Sequence, residues 1–359
     1  MELLSGDLMQ MIELRPVPQA SFEVTDMGLG GSPLGNRSRP MSEAEADDIV
    51  EAAWAAGIRY FDTAPLYGHG LAEARLGRNL RWKPRDEFVV SSKVGRVLRP
   101  AARASIDYGP WADGLPFACH FDYSYDGTMR SFEDSLQRLG LERIDIVFIH
   151  DIDVFTHGPA GQKLAFEQAM DGCYRALLRL REEGAIKAIG VGVNEWEPCV
   201  AALDRGDFDC FLLAGRYTLL DQSALDRFLP LCVERKAAVV IGGGFNSGIL
   251  ATGAVAGASY NYEAAPEPIL AKIRRMEIVC QRYDVSLPAV ALQFVLAHPA
   301  VASNIPGARS AAQLRQNIAW AGERVPADLW AELKAERLLR DDAPVPGGRS
   351  ALLDPTPTG

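Results

Sequence analysis

The chain has no run of about eighteen apolar residues, so no membrane-spanning helix is expected. It is short of positive charge. Against 47 Asp and Glu it carries 37 Lys and Arg, a formal net charge of −10. That balance disfavours nucleic acid or an anionic membrane as partner. Cysteine is sparse and scattered. Cys119, Cys173, Cys199, Cys210, Cys232 and Cys280 show no CxxC spacing, so neither a disulfide framework nor a metal centre is expected, and reduced thiols in a cytoplasmic protein are. The opening MELLSGDLMQMIELRP has early acids and no basic region before a long apolar stretch, so it does not read as a signal peptide. A dinucleotide fingerprint is missing as well. Gly28-Leu29-Gly30-Gly31-Ser32-Pro33 puts proline where a third glycine belongs, and Gly190 and Gly192 lead to Glu195.

What remains is a large apolar content, 48% of 359 residues, with no composition break that would split the chain. We expect one domain over 1–359, with a core of about 26–338 and an irregular tail from 341 to 359. Met9–Val24 suggests a capping hairpin or an arm. Thr25–Gly31 reads as a first strand. Ser42 with Glu45 three residues on makes a capping box for a helix to Ala56. Apolar strand runs follow at Tyr60-Phe61, Phe88–Lys93, Ile144–His150, Ala188–Val193, Phe208–Ala214, Ala237–Ile241 and Val301–Ile305. Helical patterns separate them, at Asp126–Leu139, Leu164–Glu183, Glu197–Asp204, Ser223–Arg235, Glu267–Tyr283, Pro288–Ala297 and Ala311–Ala321. Continuous apolar strands alternating with helices imply a parallel sheet covered outside. About eight such units close into a (β/α)8 barrel. Two long connections, Val94–Tyr123 and Asp151–Gly161, would lie over its C-terminal face, and the aromatics of the first favour an ordered lid.

The chain is organised around Gly57–Leu80, GIRYFDTAPLYGHGLAEARLGRNL. Asp62 ends its strand and Tyr67 stands in the loop beyond. Lys93 and His150 close the next two strands. Singly, each has an ordinary reading: a turn aspartate, a packed tyrosine, a surface lysine, a core histidine. Together, on successive strand ends of a barrel, they converge on one site. A tyrosine ionises near pH 10 unaided; a lysine beside it would lower that value, and a carboxylate would keep the lysine charged. Tyr67 would then serve as proton donor or acceptor, with neutral His150 orienting the substrate oxygen.

These residues and the FDTA…YG pattern resemble the aldo-keto reductase family, over about Asp26–Leu338. The resemblance implies an enzyme that moves hydride between NAD or NADP and a carbonyl or hemiacetal carbon, with Asp62, Tyr67, Lys93 and His150 catalytic. It further implies cofactor contacts from Gly31, Asp62, Asn194, the Phe245-Asn246-Ser247-Gly248 loop with Leu250, and Gly307, Arg309, Gln313 and Asn317. Three positions depart from the family pattern. Ala214 replaces a strand-six glutamine, Gly242 or Gly243 a stacking aromatic, and Gly307 a basic residue. The last favours NAD slightly, although Arg309 would still offer charge to a 2′-phosphate. VGRVLRP, FDYSYDG and LLAGRYTLLDQ resemble the sugar-oxidising branch. The expected substrate is then an aldose of the L-fucose or L-galactose type, oxidised at its anomeric hydroxyl. Tyr108, Trp111 and Phe117 would face its C–H surface. Pyridoxal oxidation and general aldehyde or ketone reduction are the alternatives within the family. A cofactor-binding regulatory subunit of the same fold is the alternative outside catalysis. The protein itself would be a monomer or a small homo-oligomer.

Overall fold

The computed structural model describes residues 12–347. Eight strands lie side by side in one sheet: β1 (Leu29–Gly30), β2 (Tyr60–Asp62), β3 (Val89–Val94), β4 (Ile146–His150), β5 (Ala188–Val193), β6 (Cys210–Ala214), β7 (Ala238–Gly242) and β8 (Val301–Ile305). Every pairing among them is parallel. A parallel bridge between Met27 and Asn304 joins the two ends. There Gly28 N–H donates to the Asn304 carbonyl (3.0 Å) and Asn304 N–H to that of Asp26 (2.8 Å). The expected barrel is thus observed.

Its strands read as apolar runs because both faces are covered. Tyr60, Ile146, Phe148, Leu212, Val240 and Ile305 fill the interior, while alternate residues such as Phe61, Val147 and Phe211 meet the helices outside. An antiparallel hairpin, Leu14–Val17 with Phe22–Thr25, sends Val17 and Val24 into the interior core and caps the barrel floor. Arg15 fastens it, donating to the carbonyls of Leu296 (2.7 Å) and Val301 (3.1 Å).

The helices are α1 (Glu43–Ala55), α2 (Leu71–Leu80), α3 (Tyr125–Leu139), α4 (Val154–Gln168), α5 (Arg175–Glu182), α6 (Glu197–Arg205), α7 (Phe228–Arg235), α8 (Ile249–Thr252), α9 (Glu267–Arg282), α10 (Leu287–Leu296), α11 (Ala311–Ala321) and α12 (Ala327–Ala335). The capping box of α1 forms as expected. Several boundaries differ from the sequence expectation. The first strand divides, because Thr25 ends the floor hairpin and only Leu29–Gly30 forms a strand in the barrel, with Met27 adding a single bridge. Asp151–Gly161 is mostly helix: Asp153 caps α4 through Thr156 N–H (3.0 Å), and Gly158 at φ +66° with Pro159 interrupts the pattern. A π turn at Ala169–Tyr174 then joins α4 to α5. Helix α12 is additional. The 348–359 part of the expected tail lies outside the described residues, as does Met9–Met11 of the expected hairpin or arm.

Val94–Tyr123 is ordered. Arg96–Pro100 pairs with Phe117–Phe121 in a hairpin. Its far end is pinned to the loop after β1: Ser38 N–H donates to Pro110 (2.9 Å), Ala112 N–H to Asn36 (2.9 Å), and Asn36 Nδ2 to Asp113 (3.0 Å).

Candidate active site

The C-terminal ends of β2, β3 and β4 bring Asp62, Lys93 and His150 together, and Tyr67 follows in the loop after β2. Lys93 is buried. Its ammonium donates to both Asp62 oxygens, at 2.9 and 2.8 Å, and to the Thr63 carbonyl at 2.8 Å. Ser91 Oγ adds a 2.7 Å bond to Asp62 and is itself 3.0 Å from Tyr60 OH. Burial works against the Lys93 charge, yet Asp62 and Tyr67 together raise its pKa, so the ammonium persists. It lies 4.8 Å from the centre of the Tyr67 ring. Across the site the His150 ring stands edge-on to Tyr67, 6.2 Å between centroids. Burial, then the charges of Lys93 and Arg96, hold His150 well below the ordinary histidine range. It is therefore neutral at physiological pH, as expected.

The Tyr67 phenol behaves differently from the expectation. Burial pushes it up to about 12, and the pull of Lys93 only partly offsets this. Sequence shows the neighbouring charge but not the desolvation that outweighs it.

The lid residues are not equivalent. Trp111 is buried and lies over Tyr67, 5.4 Å between ring centroids. Tyr108 packs on His69 instead (4.8 Å), its hydroxyl on the Leu115 carbonyl. Phe117 pairs with Pro100 in the hairpin, its carbonyl accepting from His69 Nδ1 at 2.6 Å. Trp111 is thus the lid aromatic placed against the tetrad.

The sequence profile of the aldo/keto reductase family matches residues 26–336. The chain belongs to that family. Among its relatives, this reductase is 45% identical over 337 residues to pyridoxal 4-dehydrogenase of Microbacterium luteolum, covering 91% of this chain and 98% of that one. It is 39% identical over 331 residues to D-threo-aldose 1-dehydrogenase of a Pseudomonas species, covering 89% and 96%. An aldo-keto reductase of Bacillus halodurans in its holo form superposes with a TM-score of 0.67 at 23% identity, covering 94% and 99%. That last likeness speaks for the fold.

Around the tetrad the structure sorts the expected cofactor positions of the reductase. Gly31 gives its N–H to the Asp62 carbonyl (2.7 Å), and a Cβ there would lie 2.5 Å from that oxygen. Asn194 at the end of β5 has its amide occupied from both sides. Nδ2 reaches Asp153 Oδ2 at 3.4 Å, and Tyr262 OH donates to Oδ1 at 3.1 Å. In the loop after β7, the N–H groups of Asn246, Gly248 and Leu250 already bond to carbonyls of Gly243 and Phe245. Backbone donation to a pyrophosphate is therefore confined, among those five expected donors, to Phe245 and Ser247. Gln313 accepts from Arg309 N–H (2.7 Å), and Asn317 keeps a buried Oδ1 without a partner. That unmet acceptor, in the stretch expected to hold the adenosine, fits a nucleotide cofactor. Gly307 has a packing reason of its own: a Cβ there would lie 2.7 Å from the Pro33 ring.

Four residues escaped the sequence reading. Arg39 donates to the Arg309 carbonyl at 3.2 Å and places a second guanidinium at the expected adenosine end. Tyr262 crosses from Asn194 to within 5.1 Å of the Arg37 guanidinium. Asp151 and Arg96 pair behind His150. Tyr262 lies far from the tetrad in sequence, and no motif marks it. A cavity of about 690 Å³ lies beside this site, between the lid hairpin and α4, lined by Phe121, Tyr125, His157 and Leu164; it does not include the tetrad.

Proposed function

We propose that this NAD(P)-dependent reductase oxidises the anomeric hydroxyl of a cyclic aldose, of the L-fucose or L-galactose type, to the lactone. The observation that carries the reading is the set of Tyr67, buried Lys93–Asp62 and neutral His150 roofed by Trp111. Asn194, Phe245, Ser247, Arg309 and Asn317 would hold the cofactor, which supplies the hydride acceptor when bound. Tyr67 takes the hydroxyl proton, and His150 orients the same oxygen. Lys93, kept charged by Asp62, stabilises the phenolate that Tyr67 must become. Trp111 offers a flat apolar face to the sugar's C–H side. The aldose-oxidising relative supports this substrate class.

The 45% identity to pyridoxal 4-dehydrogenase favours a second substrate for the same chemistry. Pyridoxal carries a hydroxymethyl group beside its aldehyde and closes, like an aldose, into a cyclic hemiacetal. Either substrate would present a ring C–H and O–H to Tyr67. The test is turnover of L-fucose, L-galactose and pyridoxal with NAD⁺ and with NADP⁺, with the product identified as lactone or free acid. Failure of every cyclic hemiacetal, with simple aldehydes still reduced, would end the reading.

A further inference from the structure

We infer that Asp151 is a specificity-determining residue that accepts a hydrogen bond from a hydroxyl on the carbon next to the reacting one. The inference rests on the hemiacetal reading above and deepens it.

Asp151 directly follows His150 and sits in the left-handed region, φ +55°, which aspartate enters more readily than most residues with a Cβ. The surroundings over-determine it. Its N–H donates to the Gly192 carbonyl (2.9 Å), and its own carbonyl accepts from Tyr123 OH (2.7 Å) and His157 Nε2 (2.8 Å). A turn fixed by so many bonds also fixes the direction of the side chain it carries. Extended backbone here would send the carboxylate elsewhere.

That carboxylate stands beside His150, just past the C-terminal end of β4. Arg96, at the root of the lid hairpin, donates to Oδ2 at 2.6 Å. The second oxygen, Oδ1, lies 3.4 Å from His150 Nε2 and takes no aligned hydrogen bond among the described residues. The residue as a whole is 7% exposed. Its charge also reaches Tyr67 and Tyr262. A carboxylate with one oxygen anchored and one without an aligned donor has an acceptor to offer, and a hydroxyl is the donor that suits it. Because His150 and Asp151 are adjacent, a substrate whose reacting oxygen meets His150 brings its neighbouring hydroxyl to Oδ1. Trp111, packed against Tyr67, would meet the apolar face. A carboxylate beside the reacting carbon and an aromatic across from it select polyhydroxylated substrates over simple alcohols and aldehydes.

The test is a cycle between protein and substrate. Asp151→Asn suits it, since asparagine tolerates the left-handed backbone and still offers Arg96 an acceptor. kcat/KM is measured for the aldose and for its 2-deoxy counterpart, in the native enzyme and in the variant. Loss of a hydrogen bond to a charged group is worth roughly ten- to a hundredfold. The native enzyme should prefer the aldose by that factor, and the preference should shrink several-fold or more in Asp151→Asn. Circular dichroism and cofactor-binding fluorescence confirm that the variant folds. If no aldose is a substrate, the aldose form of that reading fails separately, and the same ratio is read from the reduction of 2-hydroxypropanal against propanal. An equal cost of removing the hydroxyl in both proteins, for whichever pair turns over, overturns the inference.

Discussion

Lys93→Met would separate the electrostatic role of this lysine from its bulk. Methionine keeps most of the stem but removes the three hydrogen bonds to Asp62 and Thr63. Asp62, 2% exposed, is left with the Ser91 hydroxyl as its described side-chain donor. Breaking a buried ion pair by deleting one member costs about 3–5 kcal/mol, because the remaining charge stays buried. Protonating Asp62 would relieve this. Burial already raises its pKa against the pull of Lys93, and without that pull it rises further. A carboxyl whose folded pKa exceeds its unfolded value stabilises the protein when protonated, and that contribution is lost as pH rises through the folded pKa. The deficit of Lys93→Met against native enzyme should therefore be largest near neutral pH and shrink as pH falls. Asp62→Asn combined with Lys93→Met removes both charges and should recover part of the lost stability. Denaturant midpoints of the native enzyme, the single variant and the double variant, at about pH 7 and about pH 5, read all of this. The reasoning fails if Lys93→Met is as stable as the native enzyme, if its deficit grows on acidification, or if the double variant is the least stable of the three.

Four further outcomes are expected. Tyr67→Phe should lower kcat by at least about a hundredfold while cofactor binding, read by fluorescence, stays close to native; a smaller loss would remove Tyr67 from the proton transfer. With the Tyr67 phenol pushed up to about 12, oxidation should climb with pH across the alkaline range, and a plateau near neutrality would contradict that burial dominates its ionisation. Tyr262→Phe frees Asn194 Oδ1 and, at about 1 kcal/mol for the lost bond, should speed cofactor association roughly fivefold in stopped flow; an unchanged rate would show that this contact does not gate the amide. Arg39→Ala and Arg309→Ala should each raise KM for NADP⁺ more than for NAD⁺, and equal effects would remove both from 2′-phosphate recognition.

The parts legible in the sequence were those with short-range signatures. β8 and α11 fall where their apolar patterns place them, and the capping box locates the start of α1. The tetrad was legible because strand ends in a barrel share one face, so Asp62, Lys93 and His150 converge once the strands are counted. What stayed hidden depends on distance and burial. Tyr262 reaches Asn194 from 68 positions away through a loop with no pattern. Asp151 looks like any residue after a strand until its left-handed backbone turns the carboxylate inward. Tyr108 and Trp111 are equally aromatic in sequence, yet only the pinning of the lid to Asn36 and Ser38 decides which of them meets Tyr67. Gly307 reads as a missing charge, and only the closeness of Pro33 shows why glycine stands there.

The floor hairpin has a consequence for how the molecule is made. Arg15 bonds to carbonyls 281 and 286 positions later, and the two-residue first barrel strand is joined to the last by a single bridge at Met27 and Asn304. Any sheet formed before residues near 305 are made is unfinished, with two bare edges. Such edges invite pairing with other chains, and contacts this remote in sequence form slowly. A chain cut short before β8 would thus give no smaller closed barrel, only an unsealed sheet.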